Sequence, residues 1–178
     1  MKFYPFPAVA IPKQTKNGLI AADKHSLRTF WDEVDSLYGG EYASYGAGCY
    51  VFSIKVGGGE LPWYVGLAEK QTFRKECFAP QKINHYNNAI ANRIGTPYLT
   101  IIPRYSAAGY LCGPNKNGYR DVRELEIMLI GNCLTRNRNL LNLRDTKLLR
   151  EMVVPGLLNT PPGKPNAETK AFKLLLGL

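Results

Sequence analysis

Apolar and polar residues alternate along this chain with two different periods, and the switches between them mark its elements. From Gly48 to Lys55, Tyr50, Phe52 and Ile54 fall on one side and Val51, Ser53 and Lys55 on the other, the period of two that belongs to a strand. Gly57-Gly58-Gly59 supplies a loop tolerant of positive φ, and Leu61-Pro62-Trp63-Tyr64-Val65 predicts a returning strand, so that the two form an antiparallel hairpin. Pro62 belongs at the start of that strand, because a proline has no N–H to give to a ladder. The β-branched and aromatic run from Thr96 to Tyr105 predicts a third strand, confined by Pro97 and Pro103 to the short span between them or to a sheet edge.

Elsewhere the period is helical. Ser26 offers an N-cap, and Leu27, Phe30, Trp31, Val34, Leu37 and Tyr38 follow on one face before Gly39-Gly40 ends the helix. Arg28, Thr29, Asp32, Glu33 and Asp35 occupy the other face, read as solvated. A helix beginning near Thr72 carries Arg74 in its first turn and is cut near Pro80. Gln81 to Arg93 then predicts another, with Ile83, Tyr86 or Asn87, Ile90 and Ile94 along one side. After Tyr119, a buried stripe of Val122, Leu125, Leu129 and Cys133 also carries Glu126, whereas Glu124 falls on the solvated side. A carboxylate aimed at a core edge is costly unless it is paired or holds a metal, so Glu126 is either the partner of a buried arginine or a functional group. Asp145 caps a helix with Leu148, Leu149, Met152 and Val153, residues 160–165 form a loop, and Asn166 caps a last helix ending at Phe172–Leu176. Residues 1–24, with Pro5, Pro7 and Pro12, read as an extended arm, and residues 106–118 as an exposed excursion.

A chain of 178 residues fits one domain with a sizeable core. Its 23 Lys and Arg against 14 Asp and Glu leave a net charge of +9, which favours a polyanionic partner, nucleic acid above all. Cys49, Cys77, Cys112 and Cys133 are scattered without a Cys-x-x-Cys pair, so neither a zinc site nor a disulfide framework is expected. The opening residues lack the apolar run of a signal peptide, and no stretch approaches the roughly 20 apolar residues of a membrane helix. A cytoplasmic protein without membrane contact is expected.

Two tripeptides in the hairpin carry a more specific signal. Gly48-Cys49-Tyr50, then Tyr64-Val65-Gly66, then Arg74 ten residues past Tyr64, resemble the signature of the GIY-YIG nuclease family. Leu125-Glu126-Ile127-Met128-Leu129-Ile130 resembles that family's glutamate helix, and Asn139 falls near its asparagine, with Asn137 and Asn142 as alternatives. The resemblance spans roughly residues 48–142. It implies an α+β fold with a small three-stranded antiparallel sheet flanked by helices, forming a core at 46–142 between an N-terminal arm and helix (1–45) and a C-terminal helical extension (143–178) of one domain. It also implies a metal-dependent endonuclease with Tyr50, Tyr64, Arg74 and Glu126 as catalytic residues. Glu126 would hold Mg²⁺ or Mn²⁺, Arg74 would meet the phosphate, and the tyrosines would orient or deprotonate water, provided that a cation lowers the pKa of Tyr50. Two departures stand out. Cys49 replaces an aliphatic residue, and Phe78 occupies the place of a histidine or tyrosine, which leaves Lys70, Lys75 or His85 to serve in its stead. DNA is the expected partner, contacted through Arg136, Arg138, Arg144, Lys147 and Arg150, with a homodimer if the target is palindromic. The missing histidine supports a second reading, a nuclease fold that grips nucleic acid without cutting it. A third reading is a basic face that holds an acidic protein.

Overall fold

The computed structural model describes residues 1–37, 42–91, 93–142, 146–151 and 166–177, with only the backbone for 147–149. In chain order the strands are β1 (Lys2–Phe3), β2 (Val9–Ala10), β3 (Gly48–Val56), β4 (Gly59–Ala68) and β5 (Thr96–Tyr105). The helices are α1 (Lys24–Ser36), α2 (Phe73–Glu76), α3 (Pro80–Ile90), α4 (Arg120–Arg136), α5 (Thr146–Glu151) and α6 (Ala167–Leu175), with a 3₁₀ turn at Ala43–Tyr45. Tyr38, Gly39-Gly40, Arg144, Asp145, Met152, Val153 and the 160–165 loop lie outside the described residues, as do the side chains of Lys147, Leu148 and Leu149.

The architecture is α+β around an antiparallel sheet ordered β1-β5-β3-β4, with β2 also paired to β5. The three expected strands lie side by side as β5-β3-β4, but the sheet is not three-stranded: the arm adds β1 and β2 along β5 and makes it five. Phe6, Val9, Ile11 and Ile20 are buried, so the arm is extended but packed. This placement makes β5 an interior strand of ten residues, longer than its prolines predicted. Pro97 and Pro103 are tolerated because their carbonyls face the arm, accepting from Ile11 and Tyr4. A strand residue's N–H and C=O point to the same side, so neither proline interrupts the ladder to β3.

Two glycines of the hairpin are required by close approach. A Cβ at Gly48 would lie 2.2 Å from the Ile102 carbonyl oxygen, and one at Gly66 would lie 2.3 Å from the Tyr50 ring. Tyr50 and Gly66 are cross-strand partners, so the ring lies over the bare backbone opposite it. The register slips between Phe52 and Ser53, which leaves Trp63 as the extra residue of a β-bulge. Pro62 therefore sits beside the bulge of an edge strand and not at its start.

Helices cover both faces. Tyr50, Phe52, Ile54 and Ile101 pack with Phe30 and Trp31 of α1 and Tyr86 of α3. On the opposite face Cys49 and Ile102 meet Val122, while Val65 meets Ile130 and Leu134, which seats α4. The α1 cap is Asp23 and not Ser26: its carboxylate accepts from the backbone N–H groups of His25 and Ser26 at 3.1 and 3.0 Å, three residues earlier than the apolar stripe suggested. Ile94 falls beyond α3 and is 89% exposed, so it is not part of that helix's apolar side. The 106–118 excursion is largely exposed, as expected, but it is tied down at several points. Cys112 bonds back to Arg104 and Ala47, and Asn115 N–H donates to Glu69 O, fixing the approach to α4. No helix among the described residues is long and apolar enough to cross a membrane.

Candidate active site

Behind the bulge, β4 turns Tyr64 toward a cavity of about 620 Å³ between the edge of the sheet, α3 and α4. Lys82 and His85 stand three residues apart on α3 and so share a face; both line this cavity with Tyr64. The Lys82 ammonium donates to Tyr64 Oη at 2.6 Å and lies 4.9 Å from the centre of the same ring. The His85 ring stacks on Tyr64 at 5.3 Å and 13°. Because an ammonium can only donate, Tyr64 Oη is an acceptor in that bond, and its own O–H remains to donate elsewhere. Glu76, from the end of α2, approaches Lys82 at 3.6 Å. Burial draws the Lys82 pKa down, but the bond to Tyr64 and attraction to Tyr64 and Glu76 outweigh it and leave it raised. Lys82 is a charged ammonium at neutral pH.

Glu126 enters from the opposite wall. It lies one turn from Val122 and one turn from Ile130, both buried, so the stripe carries it to the cavity lining. The neighbouring Arg123 pairs with a different carboxylate, Glu69, at 3.2 Å. Glu69 is itself buried, accepts the Tyr119 N–H at 2.8 Å, and leaves no room for a Cβ at Gly118. It fastens the loop to the start of α4, where a carboxylate also meets the positive end of the helix.

Asparagines brace the wall from behind. Asn142 Oδ1 accepts the Val65 N–H at 2.9 Å and its Nδ2 donates to Val65 O at 2.7 Å, so one buried side-chain amide replaces a missing neighbour strand at the sheet edge. Leu141 N–H donates to Trp63 O and Asn137 Nδ2 to Pro62 O, each at 2.8 Å. Arg150 of α5 donates to the carbonyls of Arg138 and Leu140 at 2.6 Å and of Asn142 at 3.3 Å. Of the three candidate asparagines, Asn142 reaches the cavity and Asn137 is buried beside the bulge, while Asn139 is exposed outside it.

Comparison with known protein families, characterised proteins and solved structures found no match for this chain.

Several expected site residues lie elsewhere. Tyr50 is fully buried beneath Tyr64 and Tyr86, 6.3 Å from the Tyr64 ring centre, and does not line the cavity. Among the described residues, neither its hydroxyl nor that of Tyr86 has a partner at good hydrogen-bond geometry. Burial, with Tyr86, Cys77, Tyr64 and Glu76 adding to it, pushes the Tyr50 phenol well above its ordinary pKa, the reverse of what a base requires. Arg74 projects from the other side of α2, since two residues of helix turn about 200°. It donates from Nε to Ser44 Oγ at 3.2 Å and from Nη2 to Asp35 Oδ2 at 3.3 Å, with Asp32 at 3.9 Å and the Tyr45 ring centre at 4.9 Å. Asp35 is thus no solvated residue of α1: its carboxylate also accepts from Ser44 N–H and Oγ. Phe78 packs edge-on against Phe30, Trp31 and Tyr86 in the core. Lys70, Lys75, Arg136 and Arg138 are exposed outside the cavity, and Arg150 is occupied by the carbonyls named above.

Sequence reasoning missed Lys82, Glu76, Glu69 and Arg123 as cavity residues. The available signal was the Lys82–His85 spacing on one helix face; nothing local announced Glu69. Among the described residues, no group of three or more His, Cys, Asp and Glu side chains is placed to hold a metal ion. Such a donor set does not suit zinc, which takes three or four protein ligands. Magnesium keeps several waters and takes as few as one or two carboxylates, and Glu126 lies at the cavity wall.

Proposed function

We propose that this protein is a metal-dependent endonuclease that hydrolyses phosphodiester bonds in DNA within the Tyr64–Glu126 cavity. The observation that carries the reading is convergence: a phenol, an imidazole, an ammonium and a carboxylate from three separate elements line one cavity of a chain with net charge +9. In the reaction, a water oxygen bonds to phosphorus while the bond from phosphorus to the departing sugar oxygen breaks. The imidazole of His85 takes the proton that the water loses, and the departing oxygen is protonated from solvent. The Tyr64 O–H donates to a non-bridging oxygen and orients the phosphate. Glu126 would hold Mg²⁺ or Mn²⁺, which supplies Lewis-acid polarisation of the phosphate and stabilises the leaving oxygen. The three residues given roles here differ from the four implied by the GIY-YIG resemblance, with Tyr64 and Glu126 common to both.

The reading is tested by cleavage of supercoiled plasmid, branched and single-stranded DNA with Mg²⁺ or Mn²⁺, beside Glu126→Gln. Metal-dependent cutting, lost in the variant, is the expected result. One observation favours the second reading, a nucleic-acid-binding protein without cleavage: Tyr50 and Arg74 are both withheld from the cavity. Salt-sensitive DNA binding that survives Glu126→Gln, with no cutting of any substrate, would decide for it.

A further inference from the structure

We infer that Lys82, and not Arg74, is the cation that binds the scissile phosphate; the inference rests on the phosphodiester reading of the same cavity. Position and existing partners separate the three cations near α2 and the cavity. Arg74 faces Asp35, Asp32 and Ser44 and packs over Tyr45, so its nearest acceptors are the protein's own carboxylates. Arg123, which also lines the cavity, is hydrogen-bonded to the buried Glu69. Lys82 differs from Arg74 in lining the cavity and from Arg123 in touching Tyr64. It has three N–H donors, of which one goes to Tyr64 at 2.6 Å. Glu76 stands at 3.6 Å, within ion-pair reach but beyond a good hydrogen bond. A phosphate oxygen beside Tyr64 can therefore take a Lys82 donor without displacing an existing strong bond.

Geometry then sets the bound arrangement. Lys82 Nζ and Tyr64 Oη are already in contact, so one phosphate can receive a hydrogen bond from each through two of its oxygens. His85, stacked on the Tyr64 ring, shares a helix face with Lys82 and is held at a fixed offset from that phosphate. Glu76 keeps the ammonium in place before substrate arrives and gives way to a dianionic or diester phosphate as a competing anion. The cavity's charge logic is thus a preorganised cation restrained by a weak internal counter-ion.

The experiment uses the full chain and two readouts. The first is binding of thymidine 3′,5′-bisphosphate in EDTA, by calorimetry, which isolates the protein's own cations from any metal. The second is plasmid cleavage with Mg²⁺. Lys82→Met is expected to weaken bisphosphate binding roughly 10- to 100-fold and to slow cleavage roughly 10²- to 10³-fold, while Lys82→Arg retains most of both. Circular-dichroism melting of each variant establishes folding, and Lys82→Gln replaces Lys82→Met if the latter does not fold. Unchanged bisphosphate binding in a folded Lys82→Met protein overturns the inference, whether or not the wild type cuts DNA. If the wild type cuts nothing but binds the bisphosphate through Lys82, the nuclease reading falls and the assignment of the phosphate-binding cation stands.

Discussion

Two charged clusters flank the one-turn helix α2, and they differ in what their donors and acceptors face. On one side, Arg74, Asp35 and Ser44 satisfy one another with bonds of 2.7–3.3 Å, which ties α1 to the 3₁₀ turn and to α2. On the other, Glu76, Lys82, Tyr64 and His85 stand around a cavity that Glu126 shares, with the Tyr64 O–H and Lys82 donors in hand. Both clusters contain a cation, acids and tyrosines. The first also borders a hollow, of about 470 Å³, yet its arginine turns to the acids of α1. Composition therefore does not separate a brace from a site; the direction in which the charged groups face does.

The largest effect should come from the carboxylate on the α4 wall of the cavity. Glu126→Gln should lower metal-dependent cleavage roughly 10²- to 10³-fold, about 3–4 kcal/mol in the barrier; equal cleavage by the variant would break the contrast at its strongest point. Next comes the wall itself. Asn142→Ala leaves the Val65 N–H and C=O unpaired at a buried edge, and unfolding by urea should show a loss of roughly 2–4 kcal/mol. Cleavage should fall with it, because Val65 adjoins Tyr64.

On the brace side, Asp35→Ala should destabilise by roughly 1–3 kcal/mol, since it strips Arg74 and Ser44 of their acceptor. Its cleavage rate per folded molecule should match the wild type, and a specific loss of catalysis at full stability would dissolve the distinction between the clusters. The smallest effect concerns pH. The folded state holds the Lys82 proton more tightly than the unfolded chain does, so this pairing stabilises the fold fully below pH 10.5, and its contribution is lost as pH rises through the raised value. The thermal midpoint of the wild type should therefore fall more steeply above pH 10.5 than that of Lys82→Met, and parallel curves would show that the bond to Tyr64 carries little.

Local pattern was a good guide wherever one element explained itself. The hairpin, the stripe of α1, the position of Glu126 on α4 and the Asn166 cap follow from periodicity and capping chemistry. It misled where partners come from far along the chain. Asp35 looked solvated because its face of α1 is polar, yet Ser44 and Arg74 close over it. Pro97 and Pro103 argued for an edge, because nothing local said that the arm would take the proline side of β5.

The amino-acid order alone determined where the chain alternates with period two, where it turns with period 3.6, and that it carries a large positive charge, because each is a property of neighbouring residues. It also held the paired tyrosine–glycine tripeptides, whose Tyr50–Gly66 packing depends on the cross-strand register. Only the tertiary structure decided which charges face each other. Arg74 and Glu76 are two residues apart, yet the turn of α2 sends one to the α1 brace and the other to the cavity, while Tyr64, Lys82 and Glu126 meet from distant parts of the chain. Electrostatic partnership follows distance in space, and the packing of α3 and α4 against opposite faces of one sheet sets that distance.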